Sequence, residues 1–258
     1  MTDPQADVFA AVDALRTART LLVALDFDGT LAPFADDPAQ VSALPGSWAA
    51  VLTLRRARAT HVVLVSGRPL DGLATVSHAP SGMSLVGSHG AEWRVEGHDH
   101  EALTERERGR VARISAVLDE VGHRHGARIE HKPAGQALHT RGFDPERAEA
   151  ANDDARAAVR AVDPDVLVRD GKDILEFAVR HVTKGDAIAR LRDALDADRV
   201  FFAGDDVTDE DGFRVLDLEA GDVGVKVGDG ASLAPFRVAD PAALTPVLQQ
   251  LARVRAMG

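Results

Sequence analysis

Short apolar runs alternate with longer helix-patterned stretches at both ends of this 258-residue chain. Residues 21–25, 62–65 and 85–86 form such runs, and the segment 48–59 between the first two has helical character. Strands of this composition are buried on both faces, as in parallel sheets whose crossover connections are helices. The pattern predicts an α/β fold built on a parallel sheet.

The rhythm changes in the middle of the chain. Residues 104–180 are predicted to form a helix and two strands, twice over, which indicates an antiparallel sheet with helices on one face. The parallel rhythm then returns with a helix from Lys184. We therefore expect a Rossmann-like core made of residues 1–103 and 181–258, interrupted by an inserted α+β domain (αββ-αββ) at 104–180.

Charge and composition exclude several kinds of partner. The chain has 30 basic and 41 acidic residues, a net charge of -11, which argues against nucleic-acid binding because phosphate contacts need a basic surface. The N-terminal region is interrupted by charged residues and matches neither a signal peptide nor a membrane span. We expect a soluble cytoplasmic monomer acting on a small molecule. Without cysteine, any metal must be held by carboxylates or histidines.

Two aspartates follow the first apolar run. Alternate residues of a strand share a face, so Asp26 and Asp28 can point toward one place beyond the end of that strand, where α/β sheets bind ligands. Gly29 then permits a sharp exit from the strand. A bare D-x-D-G is equally typical of an acidic turn, but its attachment to a buried strand favours a functional site.

Three further pieces occur in order along the core. Ser66 and Gly67 close the second apolar run, where a hydroxyl and an amide could hold a phosphoryl oxygen, although such a serine is also typical of a helix N-cap. Lys184 begins a helix, where the dipole disfavours a cation, and the alternative is a solvated surface lysine. Asp205 and Asp206 follow another apolar run. Each signal alone is weak, whereas the ordered set indicates one site.

Gathering these carboxylates in one crevice has an electrostatic consequence. Asp26, Asp28, Asp205 and the adjacent Asp206 would repel one another, so a dication is needed to stabilise the site. Oxygen ligands favour a hard ion, and a site that also takes a phosphate and waters favours Mg²⁺.

The motif D-F-D-G-T-L resembles the first motif of the haloacid dehalogenase superfamily of phosphotransferases. That resemblance implies that Asp26 is the nucleophile and a metal ligand, and that Asp205 is a further ligand. It implies that Asp28 binds the metal through its carbonyl and acts as acid and base through its carboxyl group. Lys184 would offset phosphoryl charge. Asp206 and Asp209 would lie next to the metal ligands without binding the metal themselves.

Charged residues also recur on the inserted domain. The sequence pattern places Glu130 and Lys132 on one side of a strand, Arg141 on the neighbouring strand and Glu176 on a third. Carboxylates accept hydrogen bonds from sugar hydroxyls and cationic groups donate them, so these four could bind a sugar. Cross-strand ion pairs on a solvated sheet face explain the spacing equally well.

Several segments together resemble the trehalose-6-phosphate phosphatase family. They are L-D-F-D-G-T-L-A-P, V-S-G-R, G-S-H-G-A-E, E-x-K with a downstream H-T-R, G-K-x-x-x-E and G-D-D-x-T-D-E-D-x-F. The resemblance implies Mg²⁺-dependent hydrolysis of trehalose 6-phosphate through an aspartyl phosphate, a cap role for the inserted domain, and sugar contacts from its four charged residues. It adds Arg68 and His89 as further substrate-binding candidates.

One departure from the family pattern leaves other functions open. In that family an arginine commonly follows the cap glutamate closely, whereas here Phe177, Ala178 and Val179 intervene before Arg180. A phosphatase of a related glycosyl phosphate, such as mannosyl-3-phosphoglycerate or glucosylglycerol phosphate, is the first alternative. A phosphomutase would need to exclude water from its phospho-enzyme. A silent sugar-phosphate sensor would not need the intact catalytic set.

Overall fold

The computed structural model describes residues 4–35, 37–95, 97, 103–171 and 173–256. In chain order its strands are β1 (Leu21–Leu25), β2 (Thr60–Val65), β3 (Ser84–Gly87), β4 (Glu92–Arg94), β5 (Arg128–Lys132), β6 (Gly135–His139), β7 (Leu167–Gly171), β8 (Ile174–Ala178), β9 (Arg199–Gly204), β10 (Val223–Val227) and β11 (Phe236–Val238). Its helices are α1 (Pro4–Ala14), α2 (Pro45–Leu54), α3 (Leu70–Ser77), α4 (Glu105–His125), α5 (Pro145–Val162), α6 (Lys184–Ala194), α7 (Glu210–Arg214) and α8 (Pro241–Ala256).

The chain divides into two compact units. One comprises Met1–His100 and Val182–Gly258, and the other, Glu101–His181, is inserted into it. The predicted fold class, a parallel-sheet α/β core with an inserted α+β domain, is confirmed.

The discontinuous unit is built on a seven-stranded sheet of order β11-β10-β9-β1-β2-β3-β4. All neighbouring pairs are parallel except β3 with β4, which closes one edge in the antiparallel sense. Strand β1 therefore lies between β2 on one side and β9 on the other. Because these three strands run in the same direction, the loops that follow them meet at one edge of the sheet.

Strand β1 is completely buried, and its alternate side chains enter two different apolar clusters. Leu21, Val23 and Leu25 pack on the face that α1, α2 and α8 cover, whereas Leu22 and Ala24 pack on the face that α6 and α7 cover. Burial on both faces explains why the strand has a continuous apolar sequence rather than an alternating one.

The inserted unit contains a four-stranded antiparallel sheet of order β5-β6-β8-β7. Leu138 and Leu175 lie on the face that packs against Ile114 and Leu118 of α4 and Ala155 of α5. The other face carries Glu130 and Lys132 of β5 and Glu176 of β8, and is termed the charged face. The helices thus cover one face of the sheet, as the sequence pattern predicts.

Some expectations of local structure need correction. Strand β6 ends at His139, so Arg141 lies in an exposed turn and not on that strand; Gly142, with φ of 84°, completes the turn. The three-residue strands β4 and β11 and the helix α1 carry too weak a periodic signal to have been predicted. Within the part of the chain that the structure describes, no helix combines the length and apolar composition that a membrane span requires.

Candidate active site

Three core strands end in the residues that the sequence singled out. Asp26 follows β1, Ser66 follows the adjacent β2, and Asp205 follows β9 on the other side of β1. The pairing of Leu25 with both Leu64 and Ala203 brings the three strand ends to the same level of the sheet. The site thus lies beyond the carboxyl end of β1, where the strand order of the sheet reverses: β2 lies on one side of β1 and β9 on the other. This is the usual ligand-binding position of such sheets.

Lys184 joins two of the aspartates from the first position of α6. Its ammonium donates 2.7 Å hydrogen bonds to Asp26 Oδ1 and to Asp209 Oδ1, and its side chain is only 3% exposed. The helix begins here because Thr183 and Asp186 form a capping box around it. The alternative of a solvated surface lysine is therefore wrong. Two carboxylates overcome the unfavourable position at the helix N-terminus.

Asp205 is fixed at several atoms by its surroundings. Its amide donates to Asp209 Oδ2 at 2.9 Å, and its carboxylate accepts from the Thr30 hydroxyl at 3.1 Å. Gly29, with φ of 80°, lies directly against it: a Cβ atom there would be 2.1 Å from Asp205 Oδ2. Only glycine can occupy that position without displacing the carboxylate.

The three acidic side chains form one close group. One carboxylate oxygen from each of Asp26, Asp205 and Asp209 lies within 4.8 Å of the others. Burial raises the pKa of Asp26 well above its ordinary value, with Lys184 opposing and the charges of Asp209 and Asp205 adding to the rise. Burial, with help from Asp209, likewise raises the pKa of Asp205 to about 6. Lys184 alone does not neutralise the group.

These residues fit a small dication. Asp209 already accepts hydrogen bonds from Lys184 and from the amides of Asp205 and Asp206, which suits an orienting role. Asp26 and Asp205 are left as the carboxylates that could hold an ion. Oxygen donors and excess negative charge are what Mg²⁺ requires, and a bound cation would relieve the repulsion behind the raised pKa values.

Asp28 lies outside this acidic group and has a partner of its own. Arg68 donates through Nε and Nη2 to its two carboxylate oxygens, each at 2.6 Å. The family resemblance predicts a substrate contact for Arg68. The structure gives it a bidentate ion pair with the expected acid and base.

Ser66 is buried and its hydroxyl accepts a 3.1 Å hydrogen bond from the amide of Arg68. A hydroxyl that accepts one hydrogen bond has a proton that it can donate to a ligand. Helix α3 begins only at Leu70 and has Pro69 as its N-cap, so the N-cap alternative for Ser66 is wrong. Gly67 adjoins it at the start of the loop.

A strained turn after β3 borders that loop. Ser88 and His89 have φ values of 48° and 56°, a region that residues other than glycine rarely adopt. Their amides donate to Arg68 O at 2.8 Å and Ser66 O at 3.0 Å. The His89 ring lies so close to Gly67 that a Cβ atom there would be 2.5 Å from Cε1. His89 thus adjoins the predicted phosphate loop, where strain is often functional.

On the inserted unit, three of the four predicted sugar-binding residues share one sheet face. Lys132 donates to Glu176 Oε1, while Glu130 pairs with His139 Nε2 at 2.8 Å. The hydrogen bond from His139 lowers the pKa of Glu130, although burial opposes it. Arg141 lies in its exposed turn beyond β6. Lys172 of the G-K-x-x-x-E motif lies outside the described residues.

Three residues without a predicted role contact the site or the charged face. Thr30 binds Asp205, and its place in the D-G-T motif was the available signal. His139 pairs with Glu130 and was visible as the histidine of H-T-R. Lys226 donates to the carbonyl of Asp205 from within a strand, and its isolation in an apolar run was the clue.

Known proteins resemble this chain over most of its length. The family described as trehalose-phosphatase matches residues 24–242. The trehalose-6-phosphate phosphatase of Escherichia coli (strain K12) is 34% identical over 83% of this chain and 80% of its own length. The bifunctional trehalose-6-phosphate synthase/phosphatase of Thermoproteus tenax is also 34% identical, over 93% of this chain but 34% of its own length.

A solved structure agrees with these relatives. The Aspergillus fumigatus trehalose-6-phosphate phosphatase is 27% identical, with a TM-score of 0.67, covering 100% of this chain and 98% of that one. The family match extends from β1 to α8 and so includes every strand that carries a site residue. The chain belongs to the trehalose-phosphatase family.

Proposed function

We propose that this chain is a Mg²⁺-dependent phosphatase that hydrolyses trehalose 6-phosphate to trehalose and phosphate. The observation that carries the proposal is the buried contact of Lys184 with Asp26, beside Asp205, in a chain of this family. A carboxylate nucleophile, a cation for the phosphoryl oxygens and a second acidic ligand are the parts that such a reaction needs.

Asp26 is the nucleophile in this mechanism. One carboxylate oxygen attacks phosphorus in line, the bond from phosphorus to the sugar oxygen breaks, and an aspartyl phosphate forms. Burial alone would lower the pKa of Lys184, but the charges of Asp209 and Asp26 outweigh it and raise the pKa, so the ammonium stays protonated. It orients Asp26 and offsets charge that develops on the phosphoryl oxygens. Bound Mg²⁺ would neutralise Asp26 and Asp205 and polarise the phosphoryl group.

Asp28 transfers the protons. Its carboxyl group donates one to the departing sugar oxygen, which completes the first product. Its carboxylate then accepts one from water, whose oxygen attacks phosphorus and releases Asp26 with inorganic phosphate. The Ser66 hydroxyl and the Gly67 amide hold a phosphoryl oxygen through both steps.

The sugar is assigned to the charged face of the inserted unit. Glu130, Lys132 and Glu176 share that face, and their mixture of acceptors and donors suits several hydroxyl groups at once. Further sugar contacts from Arg141 and His89 are proposed on the basis of the family resemblance. Cytoplasmic location and a monomeric state remain predictions as well.

A second candidate rests on Arg180. This arginine forms a bidentate pair with Glu107, at 2.6 and 2.8 Å, within the inserted unit. Its guanidinium is thus engaged with a protein carboxylate, which keeps a related glycosyl phosphate as the alternative substrate. Mannosyl-3-phosphoglycerate and glucosylglycerol phosphate are the compounds to compare.

Phosphate release from a substrate panel tests the proposal. The panel contains trehalose 6-phosphate, glucose 6-phosphate, sucrose 6-phosphate and the two alternatives, each with Mg²⁺ and with EDTA. We expect a preference of about 100-fold in kcat/KM for trehalose 6-phosphate, or roughly 2.7 kcal/mol of transition-state binding. A flat profile would reject the sugar assignment, and turnover in EDTA would reject the metal.

Asp28→Asn separates the chemistry from the metal. It should lower kcat by about 100-fold or more, because general acid–base catalysis contributes that much. Mg²⁺ should still raise the melting temperature of this variant, since the proposed metal ligand is the main-chain carbonyl. Full activity would refute the acid–base role.

A further inference from the structure

Lys226 is a buried cation for which the proposed reaction has no use. It lies in β10, where every residue is buried and its neighbours are valine and glycine, and it is 4% exposed itself. Burying an ammonium group is costly unless it has polar partners. Its partners therefore indicate why the strand carries a lysine.

Those partners belong to the acidic loop after β9. In the sheet, Lys226 pairs with Gly204, the residue just before Asp205. Its ammonium donates a short hydrogen bond to the main-chain carbonyl of Asp205 and lies 4.0 Å from Glu210 Oε1. The other Glu210 oxygen accepts from the amide of Leu233 at 2.7 Å, which holds that carboxylate in place.

Both main-chain polar groups of Asp205 are thus held by side chains. Asp209 accepts from the amide at 2.9 Å, and Lys226 donates to the carbonyl. The Asp205 carboxylate, carried on this held peptide, accepts from the Thr30 hydroxyl and lies in the acidic group with Asp26. Preorganised ligands bind a metal ion more tightly because less conformational freedom is lost on binding.

We propose that Lys226 is a positioning residue for the divalent-cation site, which it serves by holding the Asp205 peptide. The inference rests on the proposed Mg²⁺-dependent function. Removing Lys226 has two opposing effects, because the loss of a nearby positive charge alone would strengthen Mg²⁺ binding. A positioning role requires the opposite sign, so the direction of the change decides between them.

Lys226→Met tests this, since methionine fills most of the volume of the lysine stem without a donor or a charge. Mg²⁺ alone is titrated into the metal-free protein, and its binding is measured by calorimetry and by the rise in melting temperature. The Mg²⁺ dependence of phosphate release is measured separately. We expect about 10-fold weaker Mg²⁺ binding, with kcat and KM for trehalose 6-phosphate at saturating Mg²⁺ within about 3-fold of the parent. Lys226→Arg, which keeps charge and donors, should restore most of the affinity.

Arg237→Met is the matched control. Arg237 lies in β11 beside Lys226 of β10, is exposed, and donates to the carbonyls of Gly228 and Gly230. This variant therefore removes a nearby cation without removing a contact to Asp205. Its Mg²⁺ affinity should equal that of the parent. Should Lys226→Met fail to fold, Lys226→Leu provides the same comparison, since leucine also lacks a donor and a charge.

The outcomes are distinguishable. Unchanged or tighter Mg²⁺ binding by the folded Lys226→Met or Lys226→Leu variant would overturn the inference, as would a fall in kcat at saturating Mg²⁺ with unchanged affinity. If the parent protein itself binds no Mg²⁺, the proposed function fails instead.

Discussion

Arg68 holds both carboxylate oxygens of Asp28 through two hydrogen bonds of 2.6 Å. A bidentate pair of this kind fixes the plane of the carboxylate as well as its position. The two side chains are 21% and 23% exposed, so solvent screens the pair only in part. The proposed acid and base is therefore oriented before any substrate binds.

Arg68→Met removes this orientation. We expect kcat to fall by about 10- to 100-fold, because a misplaced acid and base loses much of its contribution. Arg68→Lys keeps the charge but not the forked geometry and should give an intermediate loss. The measurement is Mg²⁺-dependent phosphate release, and parental turnover in the methionine variant would show that Asp28 needs no such partner.

The raised pKa of Asp205 predicts a pH-dependent effect of Asp205→Asn. Its pKa is about 6 in the folded chain against an ordinary value of 3.8, mainly through burial. A raised carboxyl pKa stabilises the fold fully below the unfolded value, and that stabilisation is lost as the pH rises through the folded value. The fold of the metal-free parent is therefore destabilised above pH 6. In that range Asp205→Asn should melt a few degrees above the parent.

This advantage should shrink as the pH falls from 6 to about 4. Melting temperatures in EDTA at both ends of that interval test it. In Mg²⁺ the order should reverse, since the variant lacks a proposed ligand. A variant that melts below the parent in EDTA at pH 7.5 would mean that the lost Thr30 contact outweighs the relieved repulsion.

Lys132→Met tests the charged face of the inserted unit. The change leaves Glu176 without its ammonium partner and removes a donor for sugar hydroxyls. We expect KM for trehalose 6-phosphate to rise by about 10-fold or more, the loss of one charged hydrogen bond. Hydrolysis of p-nitrophenyl phosphate, which has no sugar, should be unchanged. Asp170→Asn, an exposed change on β7, is the control. Equal losses on both substrates would argue against a sugar contact.

Glu107 and Arg180 predict acid sensitivity of the inserted unit. The Arg180 hydrogen bond lowers the pKa of Glu107 from 4.5 to about 2, against the effect of burial. A lowered carboxyl pKa stabilises the fold above the unfolded value, and the stabilisation is lost as the pH falls from 4.5 toward 2. Glu107→Gln should therefore melt below the parent at pH 7 and converge with it in acid.

Exposed Glu105, in the same first turn of α4, supplies the control for helix-dipole effects. Its change to glutamine should cost less at pH 7. Equal melting of the parent and Glu107→Gln at pH 7 would show that the ion pair contributes no stability.

Arg255 predicts a large loss of stability far from the site. Its guanidinium is buried and donates to the Thr60 hydroxyl and to four carbonyls, those of Leu15, Ala18, Arg58 and Ala59. Arg255→Met removes all five hydrogen bonds from a buried site, although the carbonyls of Leu15, Arg58 and Ala59 each keep another donor. It should lower the free energy of unfolding by about 3 kcal/mol. Urea titration measures it, with exposed Arg253→Met as the control. A loss within about 0.5 kcal/mol would mean that water replaces the guanidinium.

The positions of the site residues could be predicted because each follows an apolar run that ends in a parallel strand. Asp26, Ser66 and Asp205 needed only that rule. Their partners could not be predicted, since the pairing of Arg68 with Asp28 and of Lys226 with the Asp205 carbonyl depends on how loops pack.

The placement of Arg141 failed for a related reason. Strand ends are set by turns such as the one at Gly142, and periodicity does not mark a boundary to within two residues. The ion pairs on the charged face depend on strand register in the same way, and Glu130 meets His139 only because β5 and β6 pair as they do.

The position of β1 between β2 and β9 also sets an order of folding during synthesis. β1 is made early, but its second neighbour emerges from the ribosome only after the whole inserted unit. The strands of that unit pair with near neighbours in sequence and can form first, whereas one edge of β1 stays open meanwhile. An open, wholly apolar edge is prone to intermolecular pairing. The nascent chain is thus prone to aggregation during the interval before β9 (Arg199–Gly204) has been made and has paired with β1.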